Sequence, residues 1–342
     1  MNTRRTFLKK AGAIAGLVLV RQWAGAASTA DRLGDVLPMR QITRDGQMVT
    51  SFSLGGWHVG YNEDPKVAQA LLEKSMEMGV RFFDTARGYQ NGRSEEYFGK
   101  FLTPKYRDDI FLMTKSPARS GDGVREHLDA SLKAMKTDHL DLWQIHDILT
   151  PDDVDRRIDA GVIDAFFEAK ESGKTRYIGF TGHRNPETHL HFLKRMDEMG
   201  VEMDTCMMPL NICDATFESF QVKVLPVLLE KKYGVIAMKT MAGGSLMGER
   251  IDTTPAHIKT EDIPDVVSAS GVSYANLHQY VYSLPISTLC SGCRTVEELE
   301  KNVKVLQELK DMSESDRKFL EDVARPYAGT TVENYKRVLN ES

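Results

Sequence analysis

From residue 50 onward, short apolar runs alternate with longer amphipathic stretches. The runs begin near Phe52, Val80, Ile110, Leu140, Tyr177, Met203, Val235 and Ile286. They are rich in Val, Ile, Phe and Leu and apolar on both faces, as strands buried in a parallel sheet are. Helical patterns cover 65–79, 93–102, 123–136, 152–173, 185–200, 217–234, 274–283 and 296–310. Pro65 marks a first helical turn, and Gly79, Gly173, Gly200 and Gly234 fall just past helix ends. Eight strand–helix units in 342 residues predict an α/β protein, a (β/α)8 TIM barrel rather than an open doubly wound sheet. No Gly-x-Gly-x-x-Gly follows a strand, which weakens the doubly wound alternative further. Two segments stand outside the eightfold count. Residues 39–50, with Arg44-Asp45-Gly46-Gln47 between β-like runs, predict an N-terminal β-hairpin closing the barrel floor. Residues 242–273 form a long loop after the seventh strand, of a length that marks lids and binding segments.

Three successive runs end in a titratable residue where their apolar core stops: Asp84, Lys115 and His146. Tyr89 follows five residues after Asp84. In a parallel barrel those ends converge on one face, where active sites lie. A phenol, an ammonium, a carboxylate and an imidazole gathered there make a proton-donor device for a carbonyl oxygen. The ammonium stabilises the phenolate and is expected to lower the phenol's pKa, while the carboxylate holds the ammonium.

Charge changes the picture at one end only. The composition, 41% hydrophobic and 27% charged, is that of an ordinary globular protein. The first 26 residues carry Arg4, Arg5, Lys9, Lys10 and Arg21 and no acid; the rest holds 39 basic against 49 acidic side chains, a net of −10. So acidic a body predicts no nucleic-acid or anionic-membrane partner. Arg4-Arg5, the apolar run from Ala11 to Val20 and the small residues Ala24 to Ala27 read as a basic region, a short apolar region and a cleavage site. That run is too short for the ~20 residues of a spanning helix, so the mature chain is expected to have no membrane span. The paired arginines resemble a twin-arginine export signal, predicting the twin-arginine export machinery as a partner and a periplasmic or cell-envelope location reached already folded. The expected organisation is leader 1–26, barrel 39–312 and C-terminal tail 313–342. Of the four cysteines, Cys290 and Cys293 form a C-x-x-C, but residues three apart on a strand face opposite ways. No second ligand pair supports zinc, so no metal is expected; a disulfide remains open.

The motifs SFSLGGWHVG, FFDTARGY with GRSEEYFG, TKS, LWQIHD, TRYIGFTGH, GVIAMKTMAGG and CSGCRTVEELEKN, in that order, resemble the aldo-keto reductase family over 39–310. The resemblance implies a (β/α)8 barrel that reduces small-molecule aldehydes and ketones with a nicotinamide cofactor and no metal. NADP(H) is favoured, with NAD(H) as the alternative. It implies catalytic Tyr89, Lys115, Asp84 and His146. It implies cofactor contacts by Thr181, Asn211, Lys239, Thr240, Gly292, Arg294, Glu298 and Asn302, with Trp57 and Trp143 lining the substrate pocket. The chain departs from the family where Glu298 replaces an arginine that contacts the 2′-phosphate. It departs again where Gly182 and Met207 replace carboxamide-holding residues and Met238 an aromatic. Those departures keep a second reading open, a non-catalytic or weakly catalytic nicotinamide-binding redox sensor or accessory module. A sugar hydrolase using Asp84 and Asp147 would leave Tyr89 and Lys115 without a role. The tail offers only Arg325-Pro326-Tyr327 as a candidate pocket contact.

Overall fold

The computed structural model describes residues 29–249 and 258–338. The expected leader, the middle of the 242–273 loop and residues 339–342 lie outside the described residues. Two antiparallel hairpins come first, β1 (Thr29–Asp31) with β2 (Gly34–Val36) and β3 (Met39–Gln41) with β4 (Met48–Thr50). Eight parallel strands then close a barrel: β5 (Phe52–Gly55), β6 (Phe82–Asp84), β7 (Phe111–Ser116), β8 (Leu140–Ile145), β9 (Thr175–Thr181), β10 (Thr205–Pro209), β11 (Gly234–Met238) and β12 (Thr288–Gly292). Their order around the ring follows the chain, and β12 pairs with β5. The fold is the (β/α)8 barrel that the alternation predicts.

Helix starts are written locally. Asp64-Pro65, Thr150-Pro151 and Asn185-Pro186 each place an oxygen-bearing cap before a proline, and each cap accepts a backbone N–H from its own first turn. Proline suits the first helical position because that N–H has no intrahelical partner. The stretch read as one helix over 152–173 is two, Pro151–Asp159 and Val162–Glu171. Gly161 between them sits at φ 73°, which no helix continues through. The stretch 217–234 likewise divides into Phe220–Lys223 and Leu225–Glu230, because Pro226 has no N–H to continue the ladder.

The hairpin β3–β4 plugs the barrel floor as expected. Ile42 and Val49 pack with Phe82, Phe111, Met113, Leu142, Tyr177 and Ile236 inside the barrel. Arg44 fastens the turn by donating to the Met203 carbonyl at 3.1 Å and the Lys231 carbonyl at 2.9 Å. Gly234 permits this closure, since a Cβ there would lie 1.9 Å from the Ile42 carbonyl oxygen.

The segment read as a tail packs on the barrel. The helix Glu314–Ala324 sends Leu320 and Ala324 into the main core, and Val332 and Tyr335 join them there. Among the described residues no helix is long and apolar enough to cross a membrane.

Candidate active site

Side-chain alternation on the strands decides which residues meet. On β6, β7 and β8 the residues Phe82, Phe111, Met113 and Leu142 face the barrel interior, while Phe83, Leu112 and Trp143 face the helices. Counting on by twos brings Asp84, Lys115 and His146 inward, at the C-terminal ends of three adjacent strands. All three line a cavity of about 970 Å³ together with Tyr89. That size is at the upper end of the ~300–1,000 Å³ of small-molecule sites.

Lys115 is buried, with 1% of its side chain exposed against 3% for Asp84. Its ammonium donates to Asp84, to the Thr85 carbonyl at 2.7 Å and to the Tyr89 hydroxyl at 3.2 Å. Burial opposes the charge on Lys115, but Asp84 outweighs it and holds the ammonium above its ordinary range. Burial also pushes the Asp84 carboxyl up, against the pull of Lys115.

Tyr89 projects from a turn in which Gln90 and Asn91 adopt left-handed backbone at φ 46° and 56°. Such conformations cost about 1–3 kcal/mol each in non-glycine residues and persist where the surroundings over-determine them. Here the turn is tied down from several sides. The Tyr89 N–H donates to the Ala86 carbonyl at 3.0 Å, and Arg87 N–H to the Lys115 carbonyl at 3.0 Å. The Trp57 ring lies edge-on 5.1 Å from the phenol, and His146 lies edge-on 5.6 Å away on another side. The sequence led us to expect a lowered phenol pKa. Burial instead pushes it up to about 12, with Lys115 pulling only partly back. The His146 imidazole is pushed down to about 3 by burial and by Lys115, so it is neutral.

The opposite end of the cavity is lined by Gly292, Arg294, Glu298, Lys301, Asn302, Gly243 and Gly244. Helix Val296–Gln307 starts there, capped by Thr295. The Arg294 guanidinium stands 3.8 Å from Glu249, and its backbone N–H donates to Glu298 at 2.7 Å. The Lys301 ammonium lies 3.6 Å above the Tyr274 ring, and the Tyr274 hydroxyl donates to Asn302. Thr181, Lys239 and Thr240 line the middle. The Lys239 ammonium is depressed by burial, with Asp147 and Cys290 opposing. The cavity runs from the strand ends to this helix start, and its volume and its lining cations suit a dinucleotide.

Two residues expected at the site are elsewhere. Trp143 faces outward from β8, stacked 4.0 Å from the Phe166 ring, so it belongs to the core and not to the substrate pocket. Its odd spacing from His146 forces that. Asn211 does not line the cavity. Its amide donates to the Glu333 carboxyl at 3.1 Å and the Tyr335 hydroxyl at 3.0 Å, and its oxygen accepts two backbone N–H groups. Gly182, which replaces a carboxamide-holding residue, has no room for a side chain: a Cβ would lie 2.6 Å from His189. Met207 and Met238 line the cavity as apolar surfaces.

The sequence reading missed several cavity residues. His58, two positions after Gly56, packs so closely on Gly292 that a Cβ there would be 1.9 Å from its ring. Arg119, His183 and Arg184 come from the loops after β7 and β9, Arg157 from the helix Pro151–Asp159 and Lys301 from the helix after β12; Asp147, weighed only as a hydrolase carboxylate, also lines the cavity. Their position just past strand ends was the available signal. Arg325 to Tyr327 do not line the cavity; the tail contributes Glu333 and Tyr335 behind it instead.

A model of the aldo/keto reductase family matches residues 51–325. The uncharacterized oxidoreductase YrpG of Bacillus subtilis is 29% identical over 333 residues, covering 86% of this chain and 98% of that protein. An L-galactose dehydrogenase of Arabidopsis thaliana is 27% identical over 311 residues, covering 84% and 93%. The holo form of aldo-keto reductase AKR11C1 from Bacillus halodurans superposes with a TM-score of 0.70 at 21% identity, over 86% of this chain and 99% of that one, which carries the fold. The chain belongs to the aldo/keto reductase family, and it is an NAD(P)-dependent oxidoreductase.

Proposed function

We propose that the protein reduces an aldehyde or ketone to an alcohol, with Tyr89 as the proton donor. The observation that carries this reading is one ammonium, Lys115, bonded at once to Asp84 and to the Tyr89 hydroxyl at the cavity wall. When bound, the nicotinamide cofactor supplies the hydride to the carbonyl carbon. Tyr89, a phenol with a pKa near 12, is loaded with its proton at neutral pH and gives it to the carbonyl oxygen as negative charge develops there. Lys115, 3.2 Å away, stabilises the phenolate left behind. Asp84 keeps the ammonium charged and aimed. The neutral His146 donates an N–H to the same carbonyl oxygen without taking its proton. In the alcohol-oxidising direction each role reverses. The test is steady NADPH consumption with simple aldehydes, abolished by Tyr89→Phe while cofactor binding persists.

NADP(H) is the proposed cofactor, with Lys301 and Arg294 offered to the ribose phosphate and Glu298 limiting the preference. The engagement of Asn211 by the tail favours a second reading, a cofactor-binding module with little turnover. Tight binding of NADPH with no consumption across a broad carbonyl panel would establish that module instead. Export by the twin-arginine machinery is proposed on Arg4-Arg5, the apolar run from Ala11 to Val20 and the small residues Ala24 to Ala27. Fractionation of cells expressing the full chain, with and without Arg4→Lys and Arg5→Lys, tests it: retention of the doubly substituted chain in the cytosol is expected.

A further inference from the structure

The cavity holds positive charge that the proposed carbonyl chemistry does not use. Arg119 and Arg184 reach its wall from the loops after β7 and β9, Arg157 from the helix Pro151–Asp159 after β8, and Lys239 from the end of β11. Among the described residues only Asp147 and Asp153 pair with these arginines. Asp153 is held twice, by Arg119 and by Arg157 at 3.1 Å. Buried Arg157 also donates to the Asp147 carbonyl at 3.2 Å, so it acts as a strut. Asp147 stands 3.0 Å from the His183 ring and 3.9 Å from Arg184. The Lys239 ammonium has no hydrogen bond or ion pair among the described residues, only the face of Tyr335 at 5.7 Å. Arg119 and Arg184 keep about half their side chains exposed, 53% and 44%, and a guanidinium has five donors. Burial lowers the pKa of Arg119, as do Arg157, Arg156 and Arg184. Four formal cations against two carboxylates sit in a body whose net charge is −10 outside the first 26 residues. At the helix end of the cavity, by contrast, Arg294 and Lys301 are balanced by Glu249 and Glu298.

Ring order separates the three arginines from the cofactor's phosphates, but not Lys239, which follows β11 next to β12. In a closed ring of eight strands β8 lies opposite β12, the strand that leads into Arg294 and Asn302. Arg119 and Arg184 therefore flank His146, on the substrate side.

We infer that the loops after β7 and β9 form a subsite for an anionic group, a carboxylate or phosphate monoester, on the carbonyl substrate, with Arg119 and Arg184 as its ligands. Paired guanidinium donors match the planar oxygens of such groups. The inference rests on the carbonyl-reductase reading above.

The test compares kcat/KM of the full-length protein for 4-carboxybenzaldehyde and benzaldehyde, and for succinic semialdehyde and butanal, with NADPH. The charged member of each pair is expected to be favoured by about tenfold or more, the size of one charge-assisted contact. Arg119→Met and Arg184→Met should each narrow that ratio by about tenfold, chiefly through KM, and added salt should narrow it too. Equal turnover of charged and neutral partners overturns the subsite and leaves the reductase standing. A weakened NADPH Kd in the two variants with the ratio intact assigns the arginines to the cofactor and also overturns it. Absence of turnover on any carbonyl overturns the reductase reading itself.

Discussion

Among the described residues two lysines are buried against carboxylates, in different surroundings. Lys115 meets Asp84 at the ends of β7 and β6. Lys336 meets Asp214 at 2.6 Å and Glu333 at 2.9 Å, with all three side chains fully buried. Lys336 also donates to the Phe217 carbonyl at 2.6 Å. Both clusters keep a charge inside protein by surrounding it with oxygen, the condition for tolerating it there. The difference lies in the third partner. Beside Lys115 stands a phenol open to the cavity, so a change in charge at that hydroxyl is felt by, and feeds, a bound molecule. Beside Lys336 stands Glu333, which with Tyr335 ties the tail to Asn211 behind the cavity. In the proposed mechanism the first pair helps to move a proton, whereas the second holds a chain end in place. Burial and pairing are common to both lysines; access of the neighbouring group to a cavity sets Lys115 apart.

The largest expected effect falls on the first cluster. Tyr89→Phe should lower kcat by about a thousandfold, in the range contributed by general acids, with the unfolding midpoint almost unchanged. A variant that keeps its turnover would erase the contrast. The second cluster should answer in the opposite way. Lys336→Met should cost about 3–5 kcal/mol of stability in urea unfolding, because it leaves two carboxylates buried against no cation. Its effect on kcat should be small beside that of Tyr89→Phe. Loss of turnover in Lys336→Met at unchanged stability would mean the tail cluster takes part in chemistry.

pH sharpens the same comparison. Glu333 is pushed up to about 7 from an ordinary 4.5, by burial first and with Lys336 opposing. A raised carboxyl pKa means the folded state holds the proton longer, so this contribution is complete below about 4.5 and is lost as pH rises through about 7. Glu333→Gln should therefore flatten the decline in Tm between pH 5 and 8. His146, with His189 and His278, is depressed to about 3 from 6.5, chiefly by burial. Their contribution is present above 6.5 and lost as pH falls toward about 3, so acid should destabilise the protein over that window. The neutral His146 should also leave kcat free of a histidine inflection between pH 5 and 8. The smallest effect is expected at the cofactor end. Glu298→Gln should shift the NADPH-over-NADH preference toward NADPH by about fivefold, the scale of an exposed charge pair.

Much of the site was legible because strand parity is a local property. Asp84, Lys115 and His146 each lie an even number of positions from an inward-facing apolar residue, and their loops need only a barrel to meet. The same rule would have excluded Trp143, which stands three positions from His146. Asn211 and the tail were not legible, since nothing nearby in the chain announces that Glu333 and Tyr335 return across 122 and 124 positions to claim its amide. Nor was the phenol's raised pKa. A neighbouring cation can be read from a motif, but desolvation depends on everything that surrounds the ring.

By itself, the order of apolar and polar positions determined the eight-unit barrel, its plugged floor, the caps of its helices and the face on which three titratable residues meet. Those follow from the repeat of side-chain direction along a strand and from hydrogen bonds made within a few residues. Tertiary structure alone decided which buried lysine has a neighbour open to the cavity, which aromatic lines that cavity, and where arginines from separate loops gather around it. Each of these depends on groups far apart in the chain sharing one volume from which water has been removed, where charge is costly and position sets its effect.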